Sequence, residues 1–214
     1  MTATTTEKDG SGMARIAVVV AVILVAIPAW AWTRESARFY TMDLGFAFLG
    51  IYLPARLLAL LGLVFMFFQF VLAARIPAVE RLFKRGKLLK IHRSLGKWAY
   101  LMVLLHGVGM LAFDLVSSGE IYLYTETIVG LVALVLLTAA VLAAWFFKPL
   151  KLSLNQWRTI HLLTYIVFPL VIWHALMLGS TVNAVPTLRY LLIGLFAGYV
   201  VLLLFRLYRK FIVS

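Results

Sequence analysis

Residues 87–110, KLLKIHRSLGKWAYLMVLLHGVGM, carry His92 and His106 fourteen positions apart inside an apolar run. On a helix rising 1.5 Å per residue that separation is about 20 Å, most of the ~30 Å hydrocarbon core of a bilayer. Only two other histidines occur, His161 and His174, thirteen positions apart in 155–177, NQWRTIHLLTYIVFPLVIWHALM. The four thus form two pairs on two apolar segments. Two such helices side by side would offer two facing His–His couples, one towards each membrane surface.

Composition sets the class. The chain is 64% hydrophobic and 13% charged, with at least five apolar runs long enough to span a bilayer. This predicts an all-α polytopic membrane protein, a six-transmembrane-helix bundle. With no cysteine there is no disulfide and no thiolate ligand for iron–sulfur chemistry. The net charge of +12 invites a nucleic-acid reading, but its distribution is that of a topology signal, and no nucleic-acid partner is expected.

Taken in order, residues 1–13 are polar and read as a disordered cytoplasmic tail, 14–206 as the six-helix domain, and 207–214 as a short cytoplasmic tail. The first apolar run, 16–32, doubles as a candidate secretory signal, because Ala29-Trp30-Ala31 has a small-x-small cleavage form. A polar loop is expected at 33–45 and a second span at 46–74, interrupted by Pro54 and Arg56. The third span holds His92 and His106, the fourth covers about 126–147, the fifth holds His161 and His174, and the sixth covers about 188–205.

Cations crowd alternate loops. Arg75, Arg81, Lys84, Arg85, Lys87 and Lys90 lie between spans two and three, Lys148, Lys151 and Arg158 before span five, and Arg206, Arg209 and Lys210 after span six. The opposite loops hold Arg34, Arg38 and Arg189 together with the acidic Glu35, Asp43, Asp114, Glu120 and Glu126. The positive-inside rule therefore puts both termini in the cytoplasm, as in a bacterial-type cytoplasmic membrane. His92 and His161 then lie near the inner face, and His106 and His174 near the outer. The basic loops serve orientation and contact with anionic lipid, or else dock a soluble electron donor.

A lone histidine in a span can be simply an interhelical hydrogen-bond partner. Four at matched depths point further, because facing neutral imidazoles suit a six-coordinate haem iron. His92, Gly96, Ala99, Val103 and His106 form one helical stripe, whose small residues would let a flat macrocycle approach the backbone. His161 and His174 are less well phased. Thirteen residues on an ideal helix leave them on different faces, and Pro169, which frees the Tyr165 carbonyl, permits a kink or a local change in winding that would restore the phase. A zinc or copper shell fits worse, since it would gather three or four ligands at one point.

These features resemble the ferric reductase-like transmembrane domain, shared by ferric-chelate reductases, NADPH oxidases and the haem subunit of the periplasmic methionine sulfoxide reductase system. HRSLGKWAYLMVLLH (92–106) and HLLTYIVFPLVIWH (161–174) carry the resemblance, within roughly 45–206. It implies two b-type haems, the inner held by His92 and His161 and the outer by His106 and His174, with electrons moving outward singly. It also places Arg56, in LPARLL (53–58), near the outer haem, where a cation within a span would meet propionates. Arg93, Lys97 and Arg158 are candidates for the same service at the inner haem.

Oxidases and eukaryotic ferric reductases add an FAD and NAD(P)H region after span six, and no GxGxxG fingerprint follows a strand here. The expected donor is therefore a cytoplasmic flavin reductase or flavoprotein supplying flavin, and the expected product is reduction of an acceptor outside. Two rivals stand beside this reading. A cytochrome b561-like quinone or ascorbate reductase would distribute its ligands over more helices. A cofactor-free transporter or channel would gather ionisable residues about a midplane cavity.

Overall fold

The computed structural model describes residues 3–212, with side chains from Gly12 onward. Helix α1 is Ala3–Ser36, followed by a 3₁₀ turn, Ala37–Thr41, and a π-helical segment, Ala47–Tyr52. Then come α2 Leu53–Ala73, α3 Pro77–Leu82, α4 Arg85–Ser118, α5 Thr125–Phe146, α6 Leu154–His161, α7 Thr164–Leu178, α8 Ser180–Ala184 and α9 Pro186–Phe211. Six helical stretches are long and apolar enough to cross a membrane: Gly12–Thr41, Ala47–Ala73, Arg85–Ser118, Thr125–Phe146, Leu154–Leu178 and Pro186–Phe211. The chain is an integral multi-pass membrane protein built wholly of helices among its described residues. The tail expected to be disordered at 1–13 lies largely outside the described side chains.

Local chemistry explains the element boundaries. The α4 helix stops at Gly119, whose φ of 76° places it in the left-handed region, and its N–H caps the Leu115 carbonyl. Ser153 and Gln156 form a reciprocal capping box that starts α6. Pro54 lies where the wider π winding of 47–52 passes into α2, a change of winding that accommodates its missing N–H inside one continuous helix. Span two is therefore continuous in helix from Ala47 but changes its winding before Pro54.

Two expected boundaries move. The first helix does not end at 32 but continues to Ser36, so Glu35 belongs to a helix and not to a solvated loop. The last helix runs past the expected end near 205 to Phe211, because the basic residues Arg206, Arg209 and Lys210 are good helix formers and continue its last turns.

Helix α4 lies along α2, and α7 along α5, so the bundle contains two close helix pairs. Small residues make the first contact tight: a Cβ on Gly62 would come within 2.9 Å of Val103 and 3.5 Å of the Ala99 carbonyl. The stripe Gly96-Ala99-Val103, expected to receive a macrocycle, is thus spent on packing against α2. Between α2, α7 and α9 sits an aromatic core, with the fully buried Phe168 ring 5.1 Å from Phe70 and 5.0 Å from Tyr199.

The first helix joins through a buried ion pair. Arg56, 7% exposed, places Nη2 2.5 Å from Oε2 of Glu35 and donates also to Oγ1 of Thr181. Its guanidinium lies over the Tyr52 ring, and the Tyr52 hydroxyl meets Ser180 Oγ at 2.9 Å. Trp32 Nε1 donates to the Leu53 carbonyl at 2.9 Å. Together these bonds tie α1 and α8 to the first turn of α2. Removing one member of a buried pair strands the other charge at a cost of about 3–5 kcal/mol. Arg56→Met and Glu35→Gln should each lower thermal stability in detergent by that order, while the double variant should lose much less than their sum. Additive losses would show that the two charges act independently.

Candidate paired-histidine site

The four histidines meet as two couples. The His92 and His161 ring centres are 6.4 Å apart, and those of His106 and His174 are 6.3 Å apart. Two imidazoles sharing one metal would have centres about 6 Å apart, from two metal–nitrogen bonds of roughly 2 Å each plus the distance from each nitrogen to its ring centre. Both couples match that spacing. Along α4 the couples are separated by about 20 Å. Among the described residues no cluster of three or more His, Cys, Asp or Glu side chains could hold a metal ion, so each site is a pair and not a polydentate shell.

Backbone orients the His106–His174 couple. Nδ1 of His106 lies 3.1 Å from the Ala55 carbonyl, and Nδ1 of His174 lies 2.7 Å from the Glu126 carbonyl. A carbonyl can only accept, so each Nδ1 carries the proton and each Nε2 keeps a free lone pair. Gly130 makes room for the second ring, because a Cβ there would come within 2.8 Å of the His174 imidazole. Sequence reasoning missed Gly130. Its only signal was a glycine within an otherwise bulky apolar run.

Span five is overwound at Leu162–Leu163, ahead of Pro169, which turns its histidines part of the way back into phase. At 3.6 residues per turn, thirteen residues make about 3.6 turns, and four turns would need roughly 3.25 residues each, between α and 3₁₀ winding. The structure overwinds at Leu162 and Leu163, between α6 and α7. There Leu162, Leu163, Tyr165 and Ile166 donate to Thr159, Ile160, Leu162 and Leu163, three residues back, at 2.9–3.1 Å. Each 3₁₀ residue adds about 20° of rotation relative to an α residue, which turns His174 back towards the face of His161. Pro169 instead lies inside α7, and the Tyr165 carbonyl that it frees accepts the Tyr199 hydroxyl at 2.7 Å.

The remaining expected residues divide. Arg56 does not wait free at the outer couple: Glu35 and Thr181 occupy Nη2, while its buried Nε has no hydrogen-bond partner. Its neighbour Ala55 supplies the carbonyl that orients His106, so the Arg56 pair anchors that turn. Arg93, Lys97 and Arg158 are exposed at the end that holds His92 and His161, and none forms an ion pair among the described residues. Trp157 stacks almost parallel on His161 with centres 5.9 Å apart, and Nε1 of Trp157 and Nδ1 of His161 are both buried without a partner.

A family model decides the affiliation. Residues 58–172 match the ferric reductase like transmembrane component. The chain belongs to that family. The matched segment holds His92, His106 and His161, while Arg56 and His174 fall just outside its ends. Neither the curated proteins nor the solved structures searched contain a match. Members of this family typically bind haem and form the membrane component of oxidoreductases that move electrons across the bilayer.

The freed carbonyl generates a direct test. Losing the Tyr199 donor should cost about 1–3 kcal/mol, the penalty of a buried unsatisfied acceptor. Tyr199→Phe should therefore destabilise the chain by that amount. In a Pro169→Ala background, where the restored N–H can bond Tyr165, the same substitution should cost much less. Equal costs in both backgrounds, measured by unfolding in detergent, would detach Tyr199 from the proline.

Proposed function

We propose that this chain carries electrons across a bacterial-type cytoplasmic membrane through two b-type haems, from a cytoplasmic flavin or flavoprotein donor to an acceptor outside. The observation that carries the reading is the spacing of two imidazole couples, each suited to one six-coordinate iron, at two depths of one bundle. His92 and His161 would hold the inner group, His106 and His174 the outer. When bound, a bis-imidazole haem supplies a reversible one-electron couple with no vacant coordination position.

The chain's own residues do the rest. The Ala55 and Glu126 carbonyls hold the protons of His106 and His174 on Nδ1, which leaves both Nε2 lone pairs free for a metal. Gly130 keeps the His174 ring in place, and the tightened turn at Leu162–Leu163 rotates His161 and His174 towards one side. Haem carboxylates would be met by the unpartnered Nε of Arg56 at one end and by Arg93, Lys97, Arg158 and the unpartnered Trp157 Nε1 at the other. The basic surface between α2 and α4 faces the donor, because flavin phosphates and acidic protein patches are anionic.

Pyridine haemochrome of the purified chain should count two haems. His106→Ala or His174→Ala should remove one, and His92→Ala or His161→Ala the other. Gly130→Ala should mimic loss of the outer group, since its methyl occupies the space of the His174 ring. A wild-type count of zero would favour the cofactor-free transporter, and a count of one would make one couple a packing contact.

The donor surface is testable separately. Anaerobic reduction by a flavin reductase with flavin should slow as salt shortens the Debye length below about 8 Å, and with Lys84, Arg85 and Lys87 changed to Gln. Rates indifferent to both would leave the basic loops with orientation and lipid contact alone.

A further inference from the structure

Gln69 is the one uncharged amide side chain within the apolar body of α2, and the electron-transfer reading gives it no role. Its carboxamide reaches α4, with one terminal atom 2.9 Å from both Nδ1 and the backbone carbonyl oxygen of His92, and the other 3.3 Å from the Gly96 N–H. Gly96 preserves this approach, since a Cβ there would stand 3.2 Å from the amide. The placement is therefore built from both helices: a polar side chain in hydrocarbon on one and a missing side chain on the other.

The two couples differ in what orients them. Backbone carbonyls hold both outer rings, whereas at the inner couple a side chain, that of Gln69, also reaches His92 Nδ1. We propose that Gln69 is the positioning residue of the inner haem site, fixing the tautomer of His92 and thereby lowering the reduction potential of the group that His92 binds. The inference rests on the two-haem reading.

The carboxamide has two orientations, and chemistry separates them. With its nitrogen beside His92, the amide donates to Nδ1, and the proton must then sit on Nε2, where it blocks a metal. With its oxygen there, the amide accepts Nδ1–H and frees the Nε2 lone pair. The same nitrogen orientation would donate to the His92 carbonyl as well and satisfy more of the polar groups when no metal is bound. A bound iron thus selects the oxygen orientation. Accepting the Nδ1 proton makes the imidazole a more basic ligand, which favours the oxidised, more positive iron. Unlike the outer carbonyls, this acceptor is a side chain and can be exchanged.

The experiment is a potentiometric titration of haem-loaded full-length chain with wild type, Gln69→Met and Gln69→Glu. Haem is counted by pyridine haemochrome, and low-spin signals are followed by electron paramagnetic resonance. Methionine keeps the length and removes the acceptor, so the inner midpoint should rise and its low-spin signal shift. Haem affinity at that site should fall roughly 10-fold, at the low end for orienting partners of metal ligands. Glutamate retains an oxygen towards Nδ1, so its inner midpoint should stay at or below that of wild type. The outer midpoint should not move in either variant. The inner component is the one lost in His92→Ala. A packing role would shift both variants in one direction, which would overturn the proposal. So would a two-haem Gln69→Met chain with unchanged midpoints, or one that binds inner haem more tightly than wild type. Wild-type chain without haem would instead overturn the two-haem reading, and this inference with it.

Discussion

An imidazole inside hydrocarbon must place both of its nitrogens, and the hydrogen bond at Nδ1 decides what Nε2 can do. In this protein the Ala55 and Glu126 carbonyls take that role for His106 and His174. Each carbonyl belongs to a helix that lies along the helix bearing its histidine, α2 beside α4 and α5 beside α7. The pairing of helices and the orientation of the rings are therefore one problem. Small residues solve it, because Gly62 brings α2 close to α4 and Gly130 opens α5 for the His174 ring.

The same accounting explains the polar groups that look misplaced in a membrane. Proline frees the Tyr165 carbonyl, and Tyr199 from α9 satisfies it. Arg56 is buried, and Glu35 from α1 neutralises it. Water is not available to the interior of a bilayer, so each such group needs a partner from another helix, and each partner adds a specific interhelical tie. The buried ion pair also stands one residue from Ala55, which links the anchoring of α1 to the geometry of the outer couple.

The inner end is built differently. His161 leans on Trp157 without a hydrogen bond at Nδ1, and His92 meets a side-chain amide. Nearby Arg93, Lys97 and Arg158 are exposed, whereas Arg56 at the other end is enclosed. The His106–His174 end is thus enclosed, and the His92–His161 end is flanked by exposed cations.

Hydropathy and charge placement were enough to read six spans, because bilayer thickness imposes a run length that sequence cannot disguise. The pairing of His92 with His161 and of His106 with His174 was legible for a related reason: equal separations along two helices imply equal depths. What lay beyond the sequence were the partners of polar groups. Glu35 read as a loop residue, the stripe Gly96-Ala99-Val103 as a macrocycle groove, and Pro169 as the source of the phase correction. Tertiary structure instead buried Glu35 against Arg56, packed the stripe on α2, and placed the overwinding at Leu162–Leu163. Periodicity reports which face a residue occupies but not which neighbour that face meets. Gln69, Gly130 and Tyr199 act across helices distant in sequence, so only the folded bundle could disclose them.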